Sequence, residues 1–320
     1  MLVSIASATI QLLACGLQLC LSPACFRVAQ FLIELQSACM YSAAAGPVLP
    51  DRVRAYLEEV VHTCGDHGRA LVSVVIFGSA VIGGWSDTVS DVDVILILPD
   101  GVLQADRNAL REKVERIETS HGLRRDSGFP KGALERLVDR ITANVRSFFI
   151  CTRGDLLSGS IGRILDLPSS QAVFVDRAVL ANIVASGKTV WGEDLLSRIP
   201  VAPIRRFDVL KAFFGLFSQA LLSASVFPLL PGATKYAMGA LKRSVHNCFF
   251  CFELRRASLE EEIGFFTRRG GPKGALIQLL ALRRDYRESF TFVLSCIPTL
   301  VRLHLRTAID NRFPRQNPVS

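Results

Sequence analysis

Asp91 and Asp93 are the residues of this 320-residue chain whose types and spacing point most directly to chemistry. They stand two apart in Ser90-Asp91-Val92-Asp93-Val94, at the head of the apolar run Val92–Leu98. On a strand, residues two apart share a face, so both carboxylates project the same way. Such a pair repels itself unless a cation sits between the two groups. Mg²⁺ is the natural occupant, because it takes one or two carboxylates and completes its shell with phosphate oxygens and water. Twelve residues before Asp91 comes Gly78-Ser79, closing the run Leu71–Phe77. Glycine lets a ligand approach the backbone closely. Ser79 offers a hydroxyl and an N–H to an anion. A metal-binding carboxylate pair beside a phosphate cradle is the equipment of phosphoryl or nucleotidyl transfer.

The elements around these residues must hold them in place. Asp51–His67 carries Val53, Tyr56, Leu57, Val60 and Val61 at helical spacing. Leu71–Phe77 and Val92–Leu98 read as buried strands, the second closed by Pro99-Asp100-Gly101. Leu103–Ile117 and Leu134–Val145 read as helices, Ser147–Cys151 as a third strand, and Ala172–Val175 as a fourth strand or a helix lead-in. Asp176 is placed to cap a helix over Arg177–Ser186 that Gly187 ends, and Lys188–Trp191 is extended. From Pro203 the period changes. Helices are expected over Arg205–Val226, Lys235–Leu254, Ser258–Arg268, Lys273–Leu282 and Tyr286–Ala308, with Ser258 and Glu261 forming a capping box. The chain thus divides into an apolar extension (1–50), an α/β domain (51–197), an all-helical domain (203–310) and a polar tail (311–320).

Composition excludes several classes. Half the residues are apolar and 21% are charged, unlike a disordered chain. Nine cysteines, an odd number set mostly in apolar runs, read as reduced core thiols of a cytoplasmic protein. Cys248 and Cys251 form a CxxC inside a helical pattern, which reads as core. The last eighty residues hold 14 basic and 7 acidic groups, nearly all of the net +8. That excess suits a polyanionic ligand or, equally, a solvated basic surface. Leu2–Phe26 is uncharged. It reads first as an apolar extension, with Met40 as an alternative start, and otherwise as a membrane tether or a cleaved signal. Ala212–Thr234 is also uncharged, and reads as a buried helix followed by a proline-marked turn.

Gly78-Ser79, Gly83-Gly84 and Ser90-Asp91-Val92-Asp93 resemble the signature of the DNA polymerase β-like nucleotidyltransferase superfamily, in particular its aminoglycoside and minimal branches. The resemblance implies an α+β fold: a small mixed sheet with flanking helices, followed by an all-helical C-terminal bundle. It further implies a nucleoside triphosphate donor and transfer of NMP to an acceptor hydroxyl with loss of pyrophosphate. Asp91 and Asp93 would hold one or two Mg²⁺ ions, and Gly78, Ser79 and Ser90 would meet the donor. ATP-binding is expected on the same ground, although no residue separates ATP from other donors. The acceptor would be a small molecule, a protein or an RNA end, with an aminoglycoside as one alternative.

The resemblance also implies a third acid from the next core strand, and Arg146–Cys151 has none. Asp155 is the first candidate, Asp166 and Asp176 follow, and true absence is the remaining reading. Lys235 and Lys242, seven apart on one helix face, are candidates for the donor phosphates. His246 on that helix reads as a core or interface residue more readily than as a general base. The alternative function is a degenerate, non-catalytic member of the fold that binds nucleotide, RNA or a partner protein.

Overall fold

The computed structural model describes residues 49–65, 71–82, 92–123, 147–167 and 177–310, all within the unit that runs from Pro47 to Ser320. Asp91, Ser90, Gly83, Gly84 and Asp176 lie outside these residues, as do the apolar extension to residue 48, the expected helix at 134–145, the segment 172–175 and the tail.

Helix α1 (Asp51–Gly65) leads into strand β1 (Ser73–Phe77), the short helix α2 (Ser79–Ile82) and strand β2 (Asp93–Leu98). Helix α3 (Gln104–Ser120), strand β3 (Phe148–Thr152), the short helices α4 (Arg153–Leu157) and α5 (Ile161–Ile164), helix α6 (Arg177–Ser186) and strand β4 (Lys188–Gly192) follow. The sheet order is β3-β2-β1-β4. β1 is antiparallel to β2 and to β4, whereas β2 and β3 are parallel, so the sheet is mixed. Val74, Val75 and Ile76 of β1 and Val94 to Leu98 of β2 are all buried, as strands covered on both faces must be.

Alternation sorts the two faces. Val74, Ile76, Val94 and Leu96 pack with Tyr56, Leu57 and Val60 of α1 and with Leu110, Val114 and Ile117 of α3. Val75, Ile95 and Ile97 pack on the other face with Leu156 of α4, Ile164 of α5, and Leu180 and Ile183 of α6. Asp93, two residues before Ile95, belongs to the register of this second face.

The helical part comprises α7 (Arg206–Val226), α8 (Ala233–Glu253), α9 (Leu259–Arg268), α10 (Gly274–Arg284) and α11 (Phe290–Ile309). Its core joins Leu216 and Ala220 of α7, Leu241, Val245 and Phe249 of α8, Leu276 and Leu279 of α10, and Phe292 and Leu300 of α11. Cys248 and Cys251 are buried on α8, in the helix core. The uncharged stretch after Ala212 resolves into the end of α7, a turn over Phe227–Gly232 and the start of α8. Glu288 caps α8 from a distance, accepting from Gly232 N (2.7 Å) and from Thr234 N (3.2 Å). Ser258 caps α9 by accepting from Glu261 N. The expected reciprocal half of that box is missing from the pattern, because Glu261 Oε1 accepts instead from Arg255 Nη2 at 2.7 Å.

One further cluster places the helical part against the sheet. Ala178 and Ala181 of α6 pack with Val209 of α7 and with Phe250 and Cys251 of α8. Since α6 covers the Asp93 face of the sheet, this contact brings α8 to that face too.

Candidate active site

Phe77 and Asp93 are cross-strand partners at the end of β1 and the head of β2. The next residue, Gly78, has φ +78°, and α2 begins directly after it. A Cβ at Gly78 would stand 2.4 Å from Asp93 Oδ2. Glycine is therefore required twice, by the left-handed backbone and by the carboxylate lying over its Cα. Ser79 opens the α2 turn, in which the N–H groups of Val81 and Ile82 donate to Gly78 O. The structure thus brings Gly78, Ser79 and Asp93 together. Gly78→Ala is expected to cost about 1–2 kcal/mol in denaturant unfolding from backbone strain and to displace the Asp93 carboxylate. Loss of activity should then exceed what the stability change explains.

Two guanidiniums approach Asp93 from the helical part. Arg243 of α8 is half-buried, donates from Nε to Gly239 O (3.4 Å) and bonds Gln219 Oε1 of α7 through Nη2. Arg256, in the turn between α8 and α9, is also half-buried. Burial lowers the pKa of both below the usual guanidinium range, and the Asp93 charge opposes that shift in each. The Arg256 Nε is buried without a hydrogen-bond partner among the described residues. An unmet buried donor costs about 1–3 kcal/mol, which an anionic oxygen would offset.

Behind Arg256 lies a buried pair. Glu262 of α9 is fully buried, bonds His246 Nδ1 of α8 and accepts from Ala257 N at 3.4 Å. Burial pushes the Glu262 carboxyl up to about 7, against the pull of Arg256 and Lys242. Burial, then Arg256, Lys242 and Arg283, holds His246 well below its ordinary 6.5. His246 is therefore an interface residue, as its sequence setting suggests. Sequence reasoning missed Arg256 and Glu262 and passed over Arg243.

Two expected residues stand elsewhere. Asp155 forms a capping box with Thr152 at the start of α4 and pairs with Arg107 of α3 at 3.5 Å. β2 and β3 are parallel, with Val94 opposite Phe148 and Leu98 opposite Thr152. Asp155 follows the far end of β3, at least ~13 Å along the strands from Asp93. It is not the third acid at Asp93, contrary to the sequence-based expectation, because the strand carries it past the site. Asp166 pairs with Arg111 Nη2 at 2.5 Å on the same helix as Arg107. The strand position beside Asp93 falls at Ser147, whose hydroxyl donates to the buried Glu118 of α3. Lys242 stands among the cations around His246 and Glu262, but Lys235 does not. Lys235 Nζ lies 5.1 Å from the centre of the Tyr286 ring, near the start of α8, two helical turns from Lys242. Cation–π contact thus draws Lys235 to the α10–α11 connection, away from Lys242.

The donor set fits Mg²⁺ in a restricted sense. Among the described residues no group of three or more His, Cys, Asp or Glu could hold a metal by itself. Asp93 offers a hard oxygen over a cradle that a Cβ would fill, which suits an ion whose other ligands come from phosphate and water.

Residues 57–148 match the family described as nucleotidyltransferase domain. Within that stretch the chain carries a nucleotidyltransferase domain of the DNA polymerase β-like type. Among solved structures, the chain resembles a spectinomycin adenyltransferase from Enterococcus faecialis determined with ATP and spectinomycin. The TM-score is 0.51 at 12% identity, over 79% of this chain and 98% of that one. At that identity the likeness is one of fold, and it spans both the mixed sheet and the helices after it. No curated protein sequence matches the chain.

Proposed function

We propose that the protein transfers an NMP group from a nucleoside triphosphate to an acceptor hydroxyl, releasing pyrophosphate, at the Asp93 end of the sheet. The observation that carries this reading is the Asp93 carboxylate lying over Gly78 and facing Arg243 and Arg256. Asp93, with Asp91 two residues before it, would hold Mg²⁺. The bound ion supplies Lewis-acid stabilisation of charge on the phosphoryl oxygens. The Gly78-Ser79 turn leaves room for the donor phosphates, and Ser79 offers its hydroxyl and N–H. Arg243 and Arg256 are placed to balance charge as pyrophosphate leaves, with Lys242 behind them. The partner is therefore a nucleoside triphosphate together with a hydroxyl acceptor. The cations at this end favour an anionic acceptor over a cationic one.

A second reading has its own support. β3 brings no carboxylate to Asp93, and Asp155 lies at the opposite end. A member of the fold lacking the third acid would bind nucleotide without turning it over.

Titration of ATP, GTP, CTP and UTP with Mg²⁺ into the full chain, with pyrophosphate followed in the same samples, separates the readings. Metal-dependent binding with pyrophosphate release is expected. Binding without release under any acceptor mixture would establish the non-catalytic binder. No binding would reject both.

A further inference from the structure

Helices α7 and α11 pack antiparallel. His304 Nδ1 donates to Val209 O (3.1 Å) near one end, and the Phe227 and Phe290 rings stand 5.0 Å apart at the other. Both helices bury one side. Val209, Ala212, Leu216 and Ala220 of α7, and Val293, Cys296, Leu300 and Leu303 of α11, face the bundle, where α8 packs on both.

The other side is apolar as well. Phe207, Phe214 and Leu221 repeat every seven residues along α7 and are 71%, 60% and 42% exposed. Phe290, Leu294, Leu305 and Ile309 form one stripe of α11 and are 45–70% exposed. These two helices hold seven of the twelve large hydrophobic side chains that are exposed among the described residues. The stripes lie side by side over ~30 Å, the length of a 20-residue helix. Together they expose an apolar area on the order of 600 Å², at the upper limit for a monomer surface without a partner.

Charge decides which partner fits. From Ile199 to Gly232 and from Ser289 to Ile309 the sequence has one carboxylate, Asp208, and it is buried. The same segments carry Arg205, Arg206, Lys211, Arg302 and Arg306. A second copy seated here by two-fold symmetry would set cations against cations, because Asp310 at the end of α11 is half-buried and the Glu288 carboxylate before it is taken up by Gly232, Thr234 and Tyr286. A surface that is apolar in depth and anionic at its rim answers both features.

We propose that the exposed face of α7 and α11 docks on an anionic lipid membrane. The two stripes enter the headgroup boundary and the exposed Arg205, Arg206, Arg302 and Arg306 meet the lipid phosphates. Both helices stay packed on α8, so the chain lies on the bilayer through this face and does not cross it there. The docking is independent of nucleotide, and its test needs none.

Flotation of the full chain with phosphatidylcholine vesicles, with and without phosphatidylglycerol, tests this. Affinity for the anionic vesicles should be at least about tenfold higher and should fall as salt rises. Phe214→Glu with Leu305→Glu should abolish the binding, and Arg302→Gln with Arg306→Gln should weaken it about 25-fold, or fivefold for each cation. Circular dichroism and melting confirm that each variant folds. The arginine pair is exposed and decides the matter if the glutamate pair does not fold. Vesicle binding unchanged in both pairs, equal binding to neutral vesicles, or no binding at all would overturn the proposal. A concentration-dependent dimer that the glutamate pair disperses, without vesicle binding, would assign the face to a second copy instead.

Discussion

Replacing Asp93 with asparagine is expected to lower kcat/KM for pyrophosphate release by at least ~1000-fold, equivalent to about 4 kcal/mol of transition-state stabilisation. The amide keeps the shape of the carboxylate and its fit over Gly78. It loses the charge that a hard cation requires. Stability should fall by only about 1–2 kcal/mol, because Gln219 still bonds Arg243 and Glu262 still faces Arg256. Asp155→Asn should behave in the opposite sense. It weakens the capping box with Thr152 and the contact with Arg107, costing about 1 kcal/mol in urea unfolding. Turnover should stay within about threefold of the parent, because the residue sits past the far end of β3. Steady-state kinetics and denaturation of both variants form a crossed test. An Asp155→Asn enzyme that melts normally but does not turn over would overturn the placement of chemistry at the Asp93 end.

Much of this arrangement was legible before any coordinates. The β-branched run before Gly78 and the Val-Ile-Leu run after Asp93 read as buried strands and are so. Helix limits from Arg206 to Ile309 follow the apolar period closely, because each helix buries a stripe in one core. Asp155 was misplaced for a physical reason: proximity in sequence to a strand does not say at which end of the sheet a residue emerges. The parallel pairing of β2 with β3 decides that, and pairing direction depends on the intervening crossover. The short helices α4 and α5 were missed because four or five residues give no period to read. Glu262 left a signal that went unused. It falls on the same helical stripe as Leu259, Ile263 and Phe266, all buried, and a carboxylate on a buried stripe must find a partner. His246 interrupts the buried stripe of α8 in the same way.

Breaking that pair should expose an acid response that the intact pair cancels. Glu262 is held up to about 7 from its ordinary 4.5, so the stability it contributes is complete below pH 4.5 and lost as pH rises through 7. His246 is held well below its ordinary 6.5, so its contribution is complete above pH 6.5 and is lost progressively as pH falls from there toward its lowered folded pKa. The two slopes oppose each other between pH 4.5 and 6.5. In that window the folded pair carries one proton, and so do the same two residues in the unfolded chain, so the pair adds almost no pH dependence. Glu262→Gln removes one slope and leaves the other. The variant should match the parent most nearly at pH 8, where the amide replaces a carboxylate that is costly to bury. It should then lose stability relative to the parent as pH falls, by about 1.4 kcal/mol for each unit below 6.5. The gap should reach about 2–3 kcal/mol near pH 4.5. Urea unfolding of both proteins across this range measures it directly. A difference that stays constant with pH would show that Glu262 and His246 hold no proton between them, and that the Arg256 turn is held in place by packing alone.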